Sequence, residues 1–267
     1  MAGAGGAKVA PRCRADPRRA LRRPVRGADV QSRRGFWPIS IAFTGRYLTQ
    51  SAIVLYDVFV FTVAMLSQKG GAGKTTLACG LAVESERAGL ATVVVDLDPQ
   101  ASATKWADLR KASTPVVTSA QPARLTPVLT AAQDAGARVA LIDTAPHAAD
   151  AALMAARAAD LVLIPCRPSA ADLHAIGGTI DLTKIAETRA VVVINSAPVN
   201  NPVVEQAQVA IAGYHIEAAP LVVHHRIDHV HAFTAGLAAT EWAPGGKAAA
   251  ELTALAEWIH HAEATQG

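Results

Sequence analysis

The stretch Lys69-Gly70-Gly71-Ala72-Gly73-Lys74-Thr75-Thr76 decides the fold of this chain. It follows an apolar run from Val58 to Leu66 and precedes a helical pattern from Thr76 to Ala88. The three glycines allow the backbone to curl, so that successive N–H groups can point at one anion. The following helix adds its unpaired N–H groups and the positive end of its dipole. The stretch therefore predicts a strand, an anion-binding loop and a helix.

Two side chains of this loop extend the interpretation from an anion to a nucleotide. Lys74 would place its ammonium group on the β- and γ-phosphates, and the Thr75 hydroxyl would ligate Mg²⁺. We therefore expect ATP and Mg²⁺ as cofactors. The residues predicted to hold the nucleotide are Gly70, Gly71, Ala72, Gly73, Lys74, Thr75 and Thr76.

Apolar strands alternate with helical patterns along the rest of the chain. After the first strand, the predicted strands are Thr92–Leu97, Pro115–Thr118, Arg138–Asp143, Leu161–Pro165, Ala190–Asn195 and one near Leu221–Val223. These strands are continuously apolar, so helices should cover both faces of the sheet. Such alternation predicts an α/β fold with a doubly wound, mostly parallel sheet. Gly89 marks the expected end of the first helix.

The charge of the chain is unevenly distributed. Residues 1–57 hold eleven basic and three acidic side chains, a net charge of +8, whereas the remaining residues hold 14 basic and 19 acidic side chains, a net charge of −5. This composition predicts a basic, disordered arm over residues 1–57 and an acidic ATPase domain over residues 58–267. The basic overall balance is therefore weak support for nucleic-acid binding by the domain itself.

Three interpretations of the arm stay open. It could be a tail attracted to DNA or to a membrane, or a targeting segment, since Ser32 to Phe36 loosely resembles a twin-arginine signal. It could also be upstream sequence translated from a start codon assigned too early. We favour the third interpretation as a hypothesis, because Arg46 and Asp57 interrupt any apolar signal core.

Polar residues end three of the predicted strands. Asp96 and Asp98 follow one strand, Asp143 ends another, and Asn195 ends a third. Ligands of open parallel sheets bind at the carboxyl ends of the strands, and carboxylates there can hold the waters of a metal ion. The competing interpretations are a strand-end turn for the first pair, a helix cap for Asp143 and a turn residue for Asn195.

The loop and the Asp96 segment together resemble the ParA/MinD family of P-loop ATPases. The form K-G-G-x-G-K-T-T resembles that family's deviant Walker motif, and Asp96 to Thr104 resembles its second Walker-like motif. The resemblance covers residues 58–267 and implies a P-loop NTPase fold. It also implies a dimer that encloses two nucleotides, in which Lys69 reaches the phosphates of the partner subunit.

The same resemblance assigns roles to the strand-end residues. It implies that Asp98 orients the hydrolytic water, that Asp96 supports Mg²⁺ through water, and that Asp143 holds a Mg²⁺-bound water. An asparagine at position 195 would hydrogen-bond the adenine. The catalytic residues implied are Lys69, Lys74 and Asp98, and the metal residues are Thr75, Asp96 and Asp143.

The closest functional resemblance is to short ParA-type ATPases that partition DNA. It implies a cytoplasmic, nucleoid-associated enzyme that dimerises on ATP, binds DNA non-specifically and is stimulated by a small ParB/ParG-like centromere-binding protein. One alternative is a positioning ATPase that acts at a membrane or on protein complexes. The absence of Lys and Arg from Glu251 to Gly267 argues against the membrane form, so we expect no membrane partner. Another alternative is a small-molecule kinase or ligase on the same fold.

The cysteines and a histidine cluster give weaker signals. Cys13, Cys79 and Cys166 show neither a disulfide framework nor zinc spacing, which fits the cytoplasm. The segment from His224 to His231 holds four histidines and Asp228 at helical spacing. Because no cysteine or glutamate appears to complete a site, we interpret this segment as a solvated or partner-facing helix rather than a zinc site.

Overall fold

The computed structural model describes residues 59–199 and 201–264, so the predicted arm of residues 1–57 lies outside the described residues. The strands are β1 (Phe61–Met65), β2 (Thr92–Asp96), β3 (Val116–Ser119), β4 (Val139–Asp143), β5 (Leu161–Cys166), β6 (Ala190–Ala197) and β7 (Glu217–His224). The helices are α1 (Lys74–Arg87), α2 (Ser102–Leu109), α3 (Leu125–Asp134), α4 (Ala149–Ala158), α5 (Ala170–Ala186), α6 (Val203–Ala212), α7 (Ile227–Thr234), α8 (Ala239–Trp242) and α9 (Lys247–Ala264).

The seven strands form one sheet in the order β3-β2-β4-β1-β5-β6-β7. Every neighbouring pair in it is parallel. The predicted α/β fold with a doubly wound parallel sheet is confirmed. Among the described helices, none combines the length and the apolar character that crossing a membrane requires.

Two hydrophobic layers hold the helices against the sheet. One layer packs Phe61, Val63 and Met65 of β1 against residues of α1 and α9. The other layer packs Ala64 of the same strand against α4, α5 and α6, with Ile176 at its centre. Alternate residues of a strand point to opposite faces, so a continuously apolar strand is expected only where both faces are covered.

Helix α1 ends where the sequence predicts. Gly89 adopts a left-handed backbone with φ of 81°, and the N–H of Leu90 donates to the carbonyl oxygen of Ser85 at 3.0 Å. This is the hydrogen bond of a glycine-terminated helix, and glycine enters the left-handed region at little cost. The chain can therefore turn directly into β2, which begins at Thr92.

The structure differs from the sequence prediction near the C-terminus. Strand β7 begins at Glu217, four residues earlier than the predicted Leu221, and it contains Pro220. Proline is tolerated in a strand at the edge of a sheet, and β7 is such a strand. Helix α8 was not predicted, because four residues are too few to show a helical period.

The register of the central strands brings the carboxyl ends of β1, β2 and β4 side by side. In the ladders, Met65 at the end of β1 pairs with Asp143 at the end of β4, and Asp143 pairs with Asp96 at the end of β2. The loop that follows β1 and the two aspartates therefore lie at the same edge of the sheet.

A buried cation ties helix α2 to the C-terminal segment. The Arg110 guanidinium donates to both carboxylate oxygens of Glu241, at 2.8 and 2.9 Å, and to the carbonyl oxygen of Gly236 at 2.9 Å. It also lies 4.6 Å from the centre of the Trp106 ring, within the range of a cation–π contact. Trp106 is 1% exposed and therefore packs in the core.

Candidate functional site

The glycine loop joins β1 to α1 as predicted. Gly71 and Gly73 both have a left-handed backbone, with φ of 74° and 93°. A Cβ atom on Gly73 would lie 2.2 Å from the Nδ2 atom of Asn195, so a larger residue would collide there. Only glycine combines this conformation with the close approach of a neighbouring side chain. Helix α1 begins directly at Lys74, which places its first N–H groups at the loop.

Lys74 is folded inward over the loop. The residue is 6% exposed, and its ammonium donates to the carbonyl oxygen of Ser67 at 3.2 Å. Burial lowers the pKa of Lys74, while the nearby Asp143 and Asp98 carboxylates act in the opposite direction. A buried ammonium with one carbonyl partner has capacity to bind an anion at the same place.

Asp143 has the surroundings expected of a residue that holds a cation. The residue is fully buried, and neither carboxylate oxygen has a hydrogen-bond partner of ordinary geometry within the described residues. Burial raises the pKa of Asp143 to about 7, and the Thr75 hydroxyl beside it acts against that shift. Buried polar atoms without partners are rare, because leaving them unpaired is costly. A carboxylate and a hydroxyl next to each other fit the oxygen ligands that Mg²⁺ prefers.

Asp96 uses its carboxylate to build the neighbouring loop. One oxygen accepts the N–H of Asp98 at 3.1 Å, and the other accepts both the N–H and the hydroxyl of Thr104 at 3.0 Å. The side chain therefore anchors the first turn of α2 and shapes the segment that carries Asp98. The implied support of Mg²⁺ by Asp96 stays a prediction. The observed hydrogen bonds of Asp96 position the segment that carries Asp98.

Asp98 lies on this loop at the carboxyl edge of the sheet. Its side chain is half-buried and accepts the N–H of Gln100 at 2.8 Å. It is close enough to Lys74 to influence the pKa of that ammonium. The geometry places Asp98 with the loop and Asp143, and its role towards a water molecule stays a prediction.

Lys69 forms an ion pair within its own chain. Its ammonium lies 3.0 Å from a carboxylate oxygen of Asp172, and its side chain is 40% exposed. Asp172 also accepts the hydroxyl of Ser169, which caps α5. The sequence prediction that Lys69 serves a partner subunit therefore requires this pair to open first.

Asn195 contacts the loop through its amide nitrogen. Nδ2 donates to the carbonyl oxygen of Ala72 at 2.7 Å, and the residue is 5% exposed. Strand β6 is irregular around this position, with shifts in its register to β7 on both sides of Ile194. The predicted contact to adenine stays a prediction. In the structure the Asn195 side chain hydrogen-bonds the loop.

An open cleft of about 540 Å³ extends from the loop towards β7 and α7. Its volume is within the range of small-molecule sites. Gly71, Gly73 and Thr76 line one end of the cleft. Every ionisable side chain that lines it, among the residues the structure describes, is basic: Arg167, His224, His225, Arg226 and His229. The cleft therefore suits an anionic ligand that begins at the loop.

The structure corrects the interpretation of the histidine cluster as a solvated helix. His224 ends β7 rather than lying on a helix, and its Nδ1 atom is 2.8 Å from an oxygen of Glu251. A glutamate therefore does join the cluster, and Arg226 binds the same carboxylate. Burial lowers the pKa of His229, whose Nε2 atom is buried without a partner in the described part of the chain. No group of three or more possible metal ligands is found among the described residues.

Sequence reasoning gave no role at this cleft to two residues, one that lines it and one that binds its basic side chains. Arg167 follows β5 and reaches the loop, and Glu251 on α9 holds the basic wall in place. The signal for Arg167 was its position directly after a strand, at the edge where the other site residues lie. Glu251 gave no such signal, because helix packing alone brings it to the cleft.

Comparison with known proteins identifies a family that part of this chain resembles. Residues 63–117, which run from β1 to β3, match the family described as the CobQ/CobB/MinD/ParA nucleotide binding domain. Protein ParA of Rhizobium radiobacter is 34% identical over 126 residues, which cover 47% of this chain and 56% of that protein. Over this part of its length the chain is similar to proteins of the ParA/MinD family.

Other proteins of that family show the same similarity. Maintenance of carboxysome distribution protein A of Gloeobacter kilaueensis is 35% identical over 122 residues, covering 44% of this chain and 54% of that protein. The chain thus spans about half the length of the curated relatives it matches. The septum site-determining protein MinD of Pyrococcus horikoshii, solved with Mg-ADP, superimposes with a TM-score of 0.62 over 75% of this chain and 96% of that chain. At 18% identity this similarity concerns the fold alone.

Proposed function

We propose that this ParA/MinD-like chain binds Mg·ATP, dimerises on it and hydrolyses it in order to partition or position a DNA cargo. The observation that carries the nucleotide part is the buried Asp143 carboxylate, which lacks partners and lies beside Thr75 at the start of α1. A divalent cation held there would neutralise the carboxylate and offset the negative charge of the phosphates. The similarity to the chromosome-partitioning ATPase Soj of Thermus thermophilus supports the DNA cargo.

The residues of the site divide the work of binding. The backbone from Gly70 to Thr76 would cradle the phosphates, and Lys74 would exchange the Ser67 carbonyl for phosphate oxygens. Mg²⁺ supplies charge neutralisation when bound, with Thr75 and Asp143 as the residues that would hold it and its waters. The Nδ2 atom of Asn195 would keep its hydrogen bond to the Ala72 carbonyl oxygen. The Oδ1 atom of Asn195 could then accept a hydrogen bond from the amino group of the adenine base.

Hydrolysis would depend on two further side chains. Asp98 would orient a water molecule for attack on the γ-phosphate, and its position is fixed by the Asp96 carboxylate. Lys69 would add positive charge to the phosphates of a partner subunit. Because Lys69 is paired with Asp172 in the single chain, the resting site is incomplete and basal turnover should be slow.

We expect Asp98→Ala to bind ATP and dimerise without turning it over. The change removes the group proposed to orient water and leaves the loop and Asp143 in place. Light scattering on the full chain should give a dimer with Mg·ATP, and phosphate release should fall at least about 100-fold, as expected when a water-positioning group is lost. Asp108→Ala, at an exposed position of α2, is the control. Turnover by Asp98→Ala at the wild-type rate would refute the role of Asp98.

The proposed function also includes a protein partner and a DNA cargo. A small ParB/ParG-like centromere-binding protein would stimulate hydrolysis in a nucleoid-associated, cytoplasmic enzyme, and the ATP dimer would bind DNA through phosphate contacts. The sequence offers Lys184, Arg189, Arg226 and Lys247 as candidates for the DNA contact. Three of them form ion pairs within the chain: Lys184 with Asp181, Arg189 with Glu217 and Arg226 with Glu251. Lys247 at the start of α9 is exposed and is the best remaining candidate.

We expect the Asp98→Ala dimer to retard arbitrary DNA in a gel with ATP and not with ADP, since only the dimer joins two basic surfaces. The retardation should weaken with added salt, and Lys247→Ala should reduce it, with exposed Lys105→Ala on α2 as the control. A confirmed ATP dimer that leaves DNA unshifted at low salt would contradict the DNA cargo. The similarity to a carboxysome distribution protein favours a protein assembly as the second candidate cargo.

A further inference from the structure

Arg167 sits over the phosphate-binding loop of its own chain. It follows β5 directly, and β5 is the neighbour of β1 in the sheet. Its guanidinium donates to the carbonyl oxygen of Gly71, and a Cβ atom on Gly71 would lie 2.9 Å from its Nη2 atom. The side chain also lines the cleft that begins at the loop. The connection of β5 to α5 thus delivers a positive charge to the place where phosphates are proposed to bind.

The backbone around Arg167 is held in place. The Arg167 carbonyl oxygen accepts the N–H of Ser169 at 2.8 Å and the thiol of Cys166 at 3.3 Å. The backbone position of Arg167 is therefore set by the strand and by the turn into α5.

The charge of Arg167 is not committed to a carboxylate. Within the described residues no ion pair is formed by its guanidinium, whereas Arg226 on the same cleft is bound to Glu251. Arg167 acts electrostatically on the Asp172 carboxylate, whose pKa lies below its ordinary value. Burial raises that pKa, but the Ser169 hydroxyl and Lys69 outweigh it, with a smaller contribution from Arg167. Because Asp172 is already engaged by Lys69 and Ser169, Arg167 keeps most of its donors for another acceptor.

The chemistry of the group favours a phosphate as that acceptor. A guanidinium presents five N–H donors in a planar fork that matches phosphate oxygens, and charged hydrogen bonds of this kind are stronger than a bond to a neutral carbonyl. An arriving polyphosphate would therefore compete well against the Gly71 carbonyl for these donors.

We propose that Arg167 binds the polyphosphate of the nucleotide from the same protomer, as a cationic contact in addition to Lys74. This inference rests on the proposed nucleotide binding at the glycine loop. It assigns Arg167 a role in binding and requires no partner subunit.

The test measures the dissociation constants of ATP, ADP and inorganic tripolyphosphate, each with Mg²⁺, by calorimetry on the full chain. Arg167→Ala should weaken all three by roughly 10-fold, the size expected for one charged hydrogen-bonded contact, and Arg167→Lys should lose less. The control is Arg157→Ala, an exposed arginine in the last turn of α4. Light scattering at the concentrations used should give a monomer with ADP, so that an effect on ADP reports a contact within one chain.

Each outcome distinguishes the two levels of the proposal. Wild-type protein that binds neither ATP nor tripolyphosphate would overturn the nucleotide site and this inference with it. Wild-type binding with unchanged constants in Arg167→Ala would overturn the role of Arg167 alone. Weaker ATP binding with unchanged tripolyphosphate binding would show that the side chain does not contact phosphates, and an effect limited to an ATP dimer would exclude a contact from the same protomer. Since Arg167 is exposed, thermal melting of the variant without ligand should match the wild type.

Discussion

Replacing Lys74 with alanine is expected to weaken the binding of Mg·ATP at least about 100-fold, because a charged hydrogen-bonded contact to phosphates contributes about 3 kcal/mol in a site shielded from water. Lys74 is the ammonium at the centre of the loop, 6% exposed and 3.2 Å from the Ser67 carbonyl oxygen. Fluorescent nucleotide titration of the full chain would measure the loss.

The matched control for this experiment is Lys184→Ala. Lys184 lies on α5 with its side chain 66% exposed, and it pairs with Asp181 of the preceding turn. Exposed pairs of this kind contribute about 0 to 1 kcal/mol, so the control should bind nucleotide as the wild type does. Tight Mg·ATP binding by Lys74→Ala would show that the glycine loop is not the phosphate site.

Asp143→Asn is expected to stabilise the protein without ligand at pH 8 while abolishing Mg²⁺-dependent nucleotide binding. The pKa of Asp143 is raised by burial from 3.8 to about 7. The folded chain therefore retains this proton through a pH range in which the unfolded chain releases it. The contribution of this group to folding stability falls as the pH rises from about 4 to about 7, and the full penalty is present above that window.

The size of the effect follows from the shift. About three pH units correspond to about 4 kcal/mol, and a buried asparagine without partners retains part of that cost, so we expect a net gain of about 2 kcal/mol at pH 8. Urea denaturation should show this gain at pH 8 and a loss of about 2 kcal/mol at pH 4, because the cost of the buried asparagine does not depend on pH. Asp134→Asn, at an exposed position, should change neither quantity. A variant less stable than the wild type at pH 8 would contradict this electrostatic account of Asp143.

Much of the fold could be predicted from the sequence because its signals are local. The glycine loop requires a strand before it and a helix after it, and continuous apolar strands require cover on both faces. The aspartates at the ends of strands came together because the parallel register aligns Met65, Asp143 and Asp96. These relations need only the period of the pattern and the direction of the strands.

Other features depend on packing that no local pattern encodes. The His224–Glu251 contact joins the end of β7 to α9, and the Arg110–Glu241 pair joins α2 to α8. Their sequence separations are 27 and 131 residues. The ion pair between Lys69 and Asp172 was also beyond the sequence, because the composition of a loop does not reveal which carboxylate its lysine meets. Side-chain pairing between distant elements is decided by the assembled fold.

Helix α2 is fastened at both of its ends. Asp96 accepts a hydrogen bond from Thr104 in the first turn of this helix. Arg110 follows its last turn and donates to Glu241 and Gly236. An eight-residue helix is about 12 Å long and hardly compresses. We therefore expect a displacement of α8 to be transmitted through α2 to the segment that carries Asp98, and a displacement of that segment to reach α8.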